Sequence, residues 1–184
     1  MKKTVVCLAD GFEEIEAVTI IDILRRAEVD VTTASVSGSA LVKGAHHVEV
    51  RADKLFEDVD FRDIDMIILP GGMPGAQNLN NHKGVQDRIL DFSAAGKMIG
   101  AICAAPMVLG NLGLLENRNV TCYPGFGNYL KKARLKNDAV VEDRNLVTAN
   151  GPAAAVEFAL KLVEKLKGRD MADMTARKML VPGK

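Results

Sequence analysis

Short, nearly uninterrupted apolar runs alternate with longer amphipathic stretches along most of the chain, and that alternation leaves few folds open. "KTVVCL" and "DMIILP" read as strands buried on both faces. Between them, Ala17, Ile20, Ile21 and Leu24 fall at i, i+3, i+4 and i+7, the spacing of one helix face, and a further strand, "VDVTTASV", follows within a few residues. "HHVEVRAD" alternates as a peripheral strand, with "ALVK" as its candidate partner. "HKGVQDRILDFSAAG" reads as a helix leading into the strand "MIGAI", "AAPMVLGNLG" as a helix closed by glycine, and "NVTCY" as a short strand. "AVVEDRNLVTA" is a hairpin turning at Asp143 to Asn145. Pro152 then stands in the first turn of the helix "AAAVEFALKLVEKLKG", closed by Gly168, and "DMADMTARKM" forms a last short helix before a frayed "VPGK". No linker or repeat divides residues 1–184, so the expectation is a single α/β domain with a parallel sheet, helices on both faces and a ligand site beyond the carboxyl ends of the strands. Three strand ends matter, those before Gly11, Gly71 and Cys103.

Composition narrows the partners. Lys plus Arg equals Asp plus Glu at 24 each, so no basic excess points to nucleic acid or an anionic membrane, and a small or near-neutral partner is expected. No apolar run approaches the ~18 residues that span a bilayer, and "MKKTVVCLADGFEEIEA" meets acidic residues too early for a signal-peptide core. The expected setting is cytoplasmic. Cys7, Cys103 and Cys122 are odd in number and lack C-x-x-C spacing, which suggests neither a disulfide framework nor a metal cluster. Cys7 in mid-strand and Cys122 near the end of a short strand read as inert packing.

Cys103 differs in its address. It follows "MIGAI" directly and opens the next helix, with Ala101 and Ala105 two residues away on either side. A sharp strand-to-helix turn exposes its central side chain and tolerates only small neighbours, which is the logic of a nucleophile elbow. A helix N-terminus there would favour the thiolate. The competing reading is a small hydrophobe closing a buried turn. In "DGFEEIEA", Glu13 and Glu14 complement a helix dipole, whereas Glu16 lies at the edge of the apolar face, turned toward Cys103, where a protonated carboxyl would donate to a thiolate. "LPGGMPGAQNL" matches neither G-x-G-x-x-G nor a P-loop, so the backbone amides of Gly72 and Met73, with Ala104, are candidate donors to an oxyanion. His46, His47 and His82 are read as surface or interface residues, and no histidine follows Cys103, which argues against a protease or amidotransferase built on a cysteine-histidine pair.

"DGFEEIEA", "LPGGMPGAQNL", "GAICAAP" and "TANGPAAAVEFAL", in that order and spacing, resemble the ThiJ/PfpI superfamily, more closely the branch containing the parkinsonism-associated protein deglycase and bacterial ThiJ-like proteins. The likeness runs from Lys3 to about Leu180. It implies a flavodoxin-like three-layer sandwich of the class I glutamine amidotransferase type, a homodimer whose contact lies near the first helix, around Glu16 and Arg26, and an oxidation-sensitive nucleophile. By motif position Cys103 is that nucleophile and Glu16 its acid, with Gly72 and Ala104 supplying amides. Met73 stands where some relatives carry a polar residue. Tyr123 stands where the best-known relative has a histidine, and Asn150 where an arginine is frequent, so Glu16, or Tyr123 as a weak acid, has to move protons here. The resemblance implies cofactor- and metal-independent chemistry on small reactive carbonyl compounds or glycated groups, of glyoxalase or deglycase type. The alternative it offers is a redox-sensing or chaperone-like stress-response protein without turnover.

Overall fold

The computed structural model describes residues 1–183. In chain order its elements are β1 (Lys3–Leu8), α1 (Glu14–Arg26), β2 (Asp30–Ser35), β3 (Leu41–Lys43), β4 (Glu49–Arg51), β5 (Lys54–Leu55), β6 (Met66–Leu69), α2 (Gly75–Asn81), α3 (Lys83–Ala94), β7 (Met98–Ile102), α4 (Pro106–Asn111), β8 (Asn119–Val120), β9 (Arg134–Leu135), β10 (Val140–Asp143), β11 (Leu146–Ala149), α5 (Ala155–Lys167) and α6 (Arg169–Lys178). The central sheet runs β10-β11-β7-β6-β1-β2-β5, parallel throughout except for the β10–β11 hairpin. Val5 of β1 lies between Thr32 of β2 and Ile67 of β6. Helices α1 and α5, with α6 against α5, cover one face, and α2, α3 and α4 the other. That is the parallel α/β sheet with helices on both faces that the alternation implies, and the flavodoxin-like three-layer sandwich that the family resemblance implies.

The apolar runs become the inner strands because both of their faces must be covered: Val5, Val6, Leu8, Ile67, Ile68 and Leu69 are fully buried. The expected hairpins form at β3–β4 and β10–β11, the latter turning through Arg144 in the left-handed region. Several details differ from the sequence reading. The inward stripe of α1 is Glu16, Ala17, Ile20, Ile23 and Leu24, with Ile21 only half-buried, so the helix is turned toward Glu16. A short helix, α2, occupies the stretch after the paired glycines, where only Ala76 and Leu79 supply an apolar spacing. Pro152 opens a single 3-10 turn, Pro152–Ala154, before α5 begins. Strand β8 ends at Val120, so Cys122 lies beyond it: the Thr121 N–H turns to the Thr148 hydroxyl at 3.0 Å, and the Tyr123 N–H to the Cys103 carbonyl at 2.8 Å. Of the "VPGK" end, Val181 is tied back by its N–H to the Ala176 carbonyl at 3.0 Å, and Lys184 lies outside the described residues. Among the described residues no helix is long and apolar enough to cross a membrane.

Candidate active site

Neighbouring strands β1, β6 and β7 release the chain at one edge of the sheet: Glu16 follows β1, Gly71 and Gly72 follow β6, and Cys103 follows β7. From β1 the chain passes to β2 on one side and later to β6 on the other, and a crevice at such a switch point is where open α/β sheets hold ligands.

Cys103 has φ of +63°, in the left-handed region that residues with a side chain seldom occupy. Its N–H donates to the Ala149 carbonyl and its carbonyl accepts the Tyr123 N–H, both at 2.8 Å, so flanking elements hold the strained backbone in place. The Ala105 N–H closes the turn on the Ile102 carbonyl at 3.0 Å, and Ala101 and Ala105 are fully buried, leaving no room for larger residues. This is the sharp turn of a nucleophile elbow. Its helix starts later than expected, at Pro106, and runs 6 residues, so the thiol is not on the first helical turn. The N–H groups that bear on the sulfur are those of Gly72 and Ala104. The side chain is nearly enclosed, with Cys103 8% exposed.

Glu16 is fully buried. Its Oε2 accepts the Gly71 N–H at 2.7 Å. Oε1 closes no hydrogen bond, while the carboxyl as a whole lies against the Cys103 thiol closely enough for each to shift the other's proton affinity. Gly71 is required by this approach, since a Cβ there would come within 2.6 Å of Cys103 Cβ and 2.7 Å of Glu16 Oε2. Burial pushes the Glu16 carboxyl up to about 7, opposed by the Gly71 N–H and the thiol and assisted by the charge of Glu13. Burial also pushes the Cys103 thiol up to about 12, helped by the charge and hydrogen bond of Glu16 and opposed by the two amides. The helix N-terminus expected to favour the thiolate is not at the sulfur, and beside an ionised Glu16, Cys103 holds its proton. A proton on Glu16 removes the opposing charge and makes the carboxyl a donor toward sulfur, so the thiolate belongs to the state in which Glu16 is neutral.

Tyr123 meets the elbow through its backbone, and its half-exposed ring packs edge-on against Phe126 with centroids 6.5 Å apart. Among the described residues its hydroxyl has no hydrogen-bond partner. Tyr123 and Asn150 line one open cleft of about 360 Å³ with Cys122, Leu135 and Lys136. Met73 is exposed, Cys7 is fully buried and Cys122 half-buried, with burial raising both of the latter thiols' proton affinities. Sequence reasoning missed Gly71 and Ala149, whose parts are played by backbone atoms that carry no side-chain signal. It also missed the link between α1 and the β3–β4 turn. Glu14 Oε1 accepts the N–H groups of His46 at 2.6 Å and Val48 at 3.3 Å, and its Oε2 lies 2.9 Å from His46 Nδ1. The donor atoms of Glu13, Glu14 and His46 lie within 4.8 Å of one another, yet those of Glu14 are already engaged by this turn.

The sequence pattern of the DJ-1/PfpI family matches residues 2–165. The chain is 39% identical to protein DJ-1 homolog B of Arabidopsis thaliana over 93% of its own length, and spans less than half of that relative, 40%. It is 31% identical to the glutathione-independent glyoxalase DJ-1 of Schizosaccharomyces pombe, over 99% of this chain and 100% of that one. The oxidised DJ-1 of Toxoplasma gondii superposes with a TM-score of 0.95 at 39% identity, covering 99% of this chain and 100% of that structure. A family pattern over most of the sequence, and a backbone that follows such a relative from end to end, lead to one assignment: the chain belongs to the DJ-1/PfpI family.

Proposed function

We propose that this protein is a cofactor-independent, cysteine-dependent enzyme acting on α-oxoaldehydes or their adducts, of the glutathione-independent glyoxalase or deglycase type. The observation that carries the reading is the pair itself: a thiol on a strained elbow against a buried carboxyl whose proton affinity is pushed up to about 7, where it can both give and take a proton. The Schizosaccharomyces pombe relative bears the name of that activity.

With methylglyoxal the steps balance without an external oxidant. Cys103 sulfur bonds to the aldehyde carbon, the carbonyl electron pair moves onto oxygen, and the Gly72 and Ala104 N–H groups donate to that oxygen as Glu16 delivers its proton. The Glu16 carboxylate then removes the hydrogen from the same carbon, giving an enediolate with its charge on the neighbouring oxygen. The hydroxyl proton of the first carbon passes to that oxygen, and Glu16 returns its proton to the neighbouring carbon, giving the thioester of lactic acid. Water displaces the sulfur and releases lactate. One carbon is oxidised and its neighbour reduced. A cytoplasmic setting, where thiols stay reduced, suits this chemistry.

Lactate formation from methylglyoxal, measured directly without glutathione or added metal, is the test. Cys103→Ser is expected to abolish it, and Glu16→Gln to lower it ~10²-fold, the usual worth of general acid-base help. Lactate appearing no faster with the wild type than with Cys103→Ser would sink the enzyme reading. The redox-sensing alternative would then take its place, a reading supported by the oxidised state of the Toxoplasma gondii relative.

A further inference from the structure

We propose that His46 is a positioning residue of the Cys103–Glu16 pair: from the β3–β4 turn it balances the carboxylates that open α1, and so sets the pH at which the pair gives up its first proton. His46 Nδ1 lies 2.9 Å from Glu14 Oε2 and 3.6 Å from Glu13 Oε2. The imidazole is 71% exposed, whereas the two carboxylates it meets are only 11% and 12% exposed, so solvent reaches the histidine and hardly reaches its partners. The turn is fastened there by the backbone as well, through the Ala45 N–H to the Phe12 carbonyl at 2.8 Å and the His46 N–H to Glu14. These contacts hold the turn that carries His46 over the start of α1.

The charge pathway is short. Among the described residues, the ionisable groups that bear on His46 are Glu14 and Glu13, and those that bear on Glu16 are Cys103 and Glu13. Glu13 is thus the shared neighbour. With His46 neutral, the negative charge of Glu13 faces Glu16 undiminished and favours its proton. With His46 protonated, that charge is partly cancelled and Glu16 releases its proton more readily. Hydrogen bonding to Glu14, with the charges of Glu13 and Glu14, raises the proton affinity of His46.

This inference rests on Cys103 and Glu16 acting as one coupled pair and needs no turnover. The probe is iodoacetamide, with the rate of alkylation at the Cys103 peptide followed by mass spectrometry against pH. Once the pair holds a single proton, that proton is shared between the ionised-Glu16 thiol and the neutral-Glu16 thiolate, so loss of the first proton raises that rate through the thiolate form. His46→Gln keeps a polar contact to Glu14 but no charge, and should move the inflection to higher pH by roughly half a unit, the size of a partly screened interaction between two nearby charges. His46→Lys keeps the charge permanently and should move it to lower pH. In a Glu13→Gln background, the His46→Gln shift should vanish. Shifts of opposite sign in the Gln and Lys variants are something a merely structural role would not produce. An inflection that stays put, that moves the same way in both variants, or that still responds to His46→Gln without Glu13 overturns the proposal. Such a result would leave the lactate assay standing, just as absence of lactate would leave this pH profile intact.

Discussion

Glu16 has one carboxylate oxygen bonded to Gly71 and the other without a partner, in a place that solvent does not reach. A carboxyl so placed makes folding depend on pH in a definite sense. Its native proton affinity, about 7, lies above its ordinary value of 4.5, so the folded state binds the extra proton between those limits. Its contribution is fully present below about 4.5 and is lost as pH rises through about 7. Glu16→Gln, which is isosteric and uncharged, should therefore be more stable than the wild type at pH 8 by on the order of 3 kcal/mol, and nearly equal to it at pH 4. Urea unfolding of the two proteins at both pH values measures this, and a constant difference would show that charge burial is not what Glu16 costs. The same carboxyl that weakens the fold at high pH gives the thiol its proton partner, so the site is held at the expense of stability.

At the scale of elements, the elbow depends on a loop that the sheet does not itself contain. After β8 the chain leaves its ladder so that the Tyr123 N–H can hold the Cys103 carbonyl, and β8 is in turn fixed to the β10–β11 hairpin by a small ionic network. Arg118 Nε meets Asp143 Oδ1 at 2.9 Å, the Asn119 N–H reaches Asp143 Oδ2 at 2.8 Å, and little of either charged side chain is exposed. Asp143→Ala would leave Arg118 without its carboxylate and the Asn119 N–H without its acceptor. It is expected to cost about 2 kcal/mol, the range for hydrogen bonds to charged groups that are only partly solvated. The urea midpoint should fall accordingly, and alkylation of Cys103 should change with it if β8 positions the elbow. An unchanged midpoint would place the network among surface pairs that contribute nothing measurable.

For the whole molecule, α1 presents Glu16 inward and Ile15 and Val18 outward, the latter two exposed. The β3–β4 hairpin, docked against the start of α1, adds exposed Leu41 and Val48. Large apolar side chains on adjoining elements suit a self-complementary contact, and we expect a symmetric homodimer built on this face. Light scattering at micromolar concentration should return twice the 19.8 kDa chain mass for the wild type and the chain mass for Val18→Asp. A monomeric wild type would remove the dimer without touching the active-site reading.

What the sequence by itself determined is whatever depends on neighbours in the chain. The apolar runs specify strands covered on both faces, their spacing specifies a parallel α/β sheet, and the small residues around Cys103 specify a tight turn, because period and size are local properties. Periodicity gives the presence of a helix more reliably than its rotation, and the rotation of α1 decided the rest. Glu13, Glu14 and Glu16 lie within four positions, yet one is buried against a thiol, one clasps a distant turn, and one stands between them. Their partners, Gly71, Cys103 and His46, are far away in the chain and reach them only when β6, β7 and the β3–β4 hairpin close around the end of β1. Proton affinity follows burial and nearby charge rather than residue type, so a thiolate partnered by a protonated Glu16 could be inferred from the turn and the helix face, while the burial that raises the proton affinity of both groups was decided only by the tertiary structure.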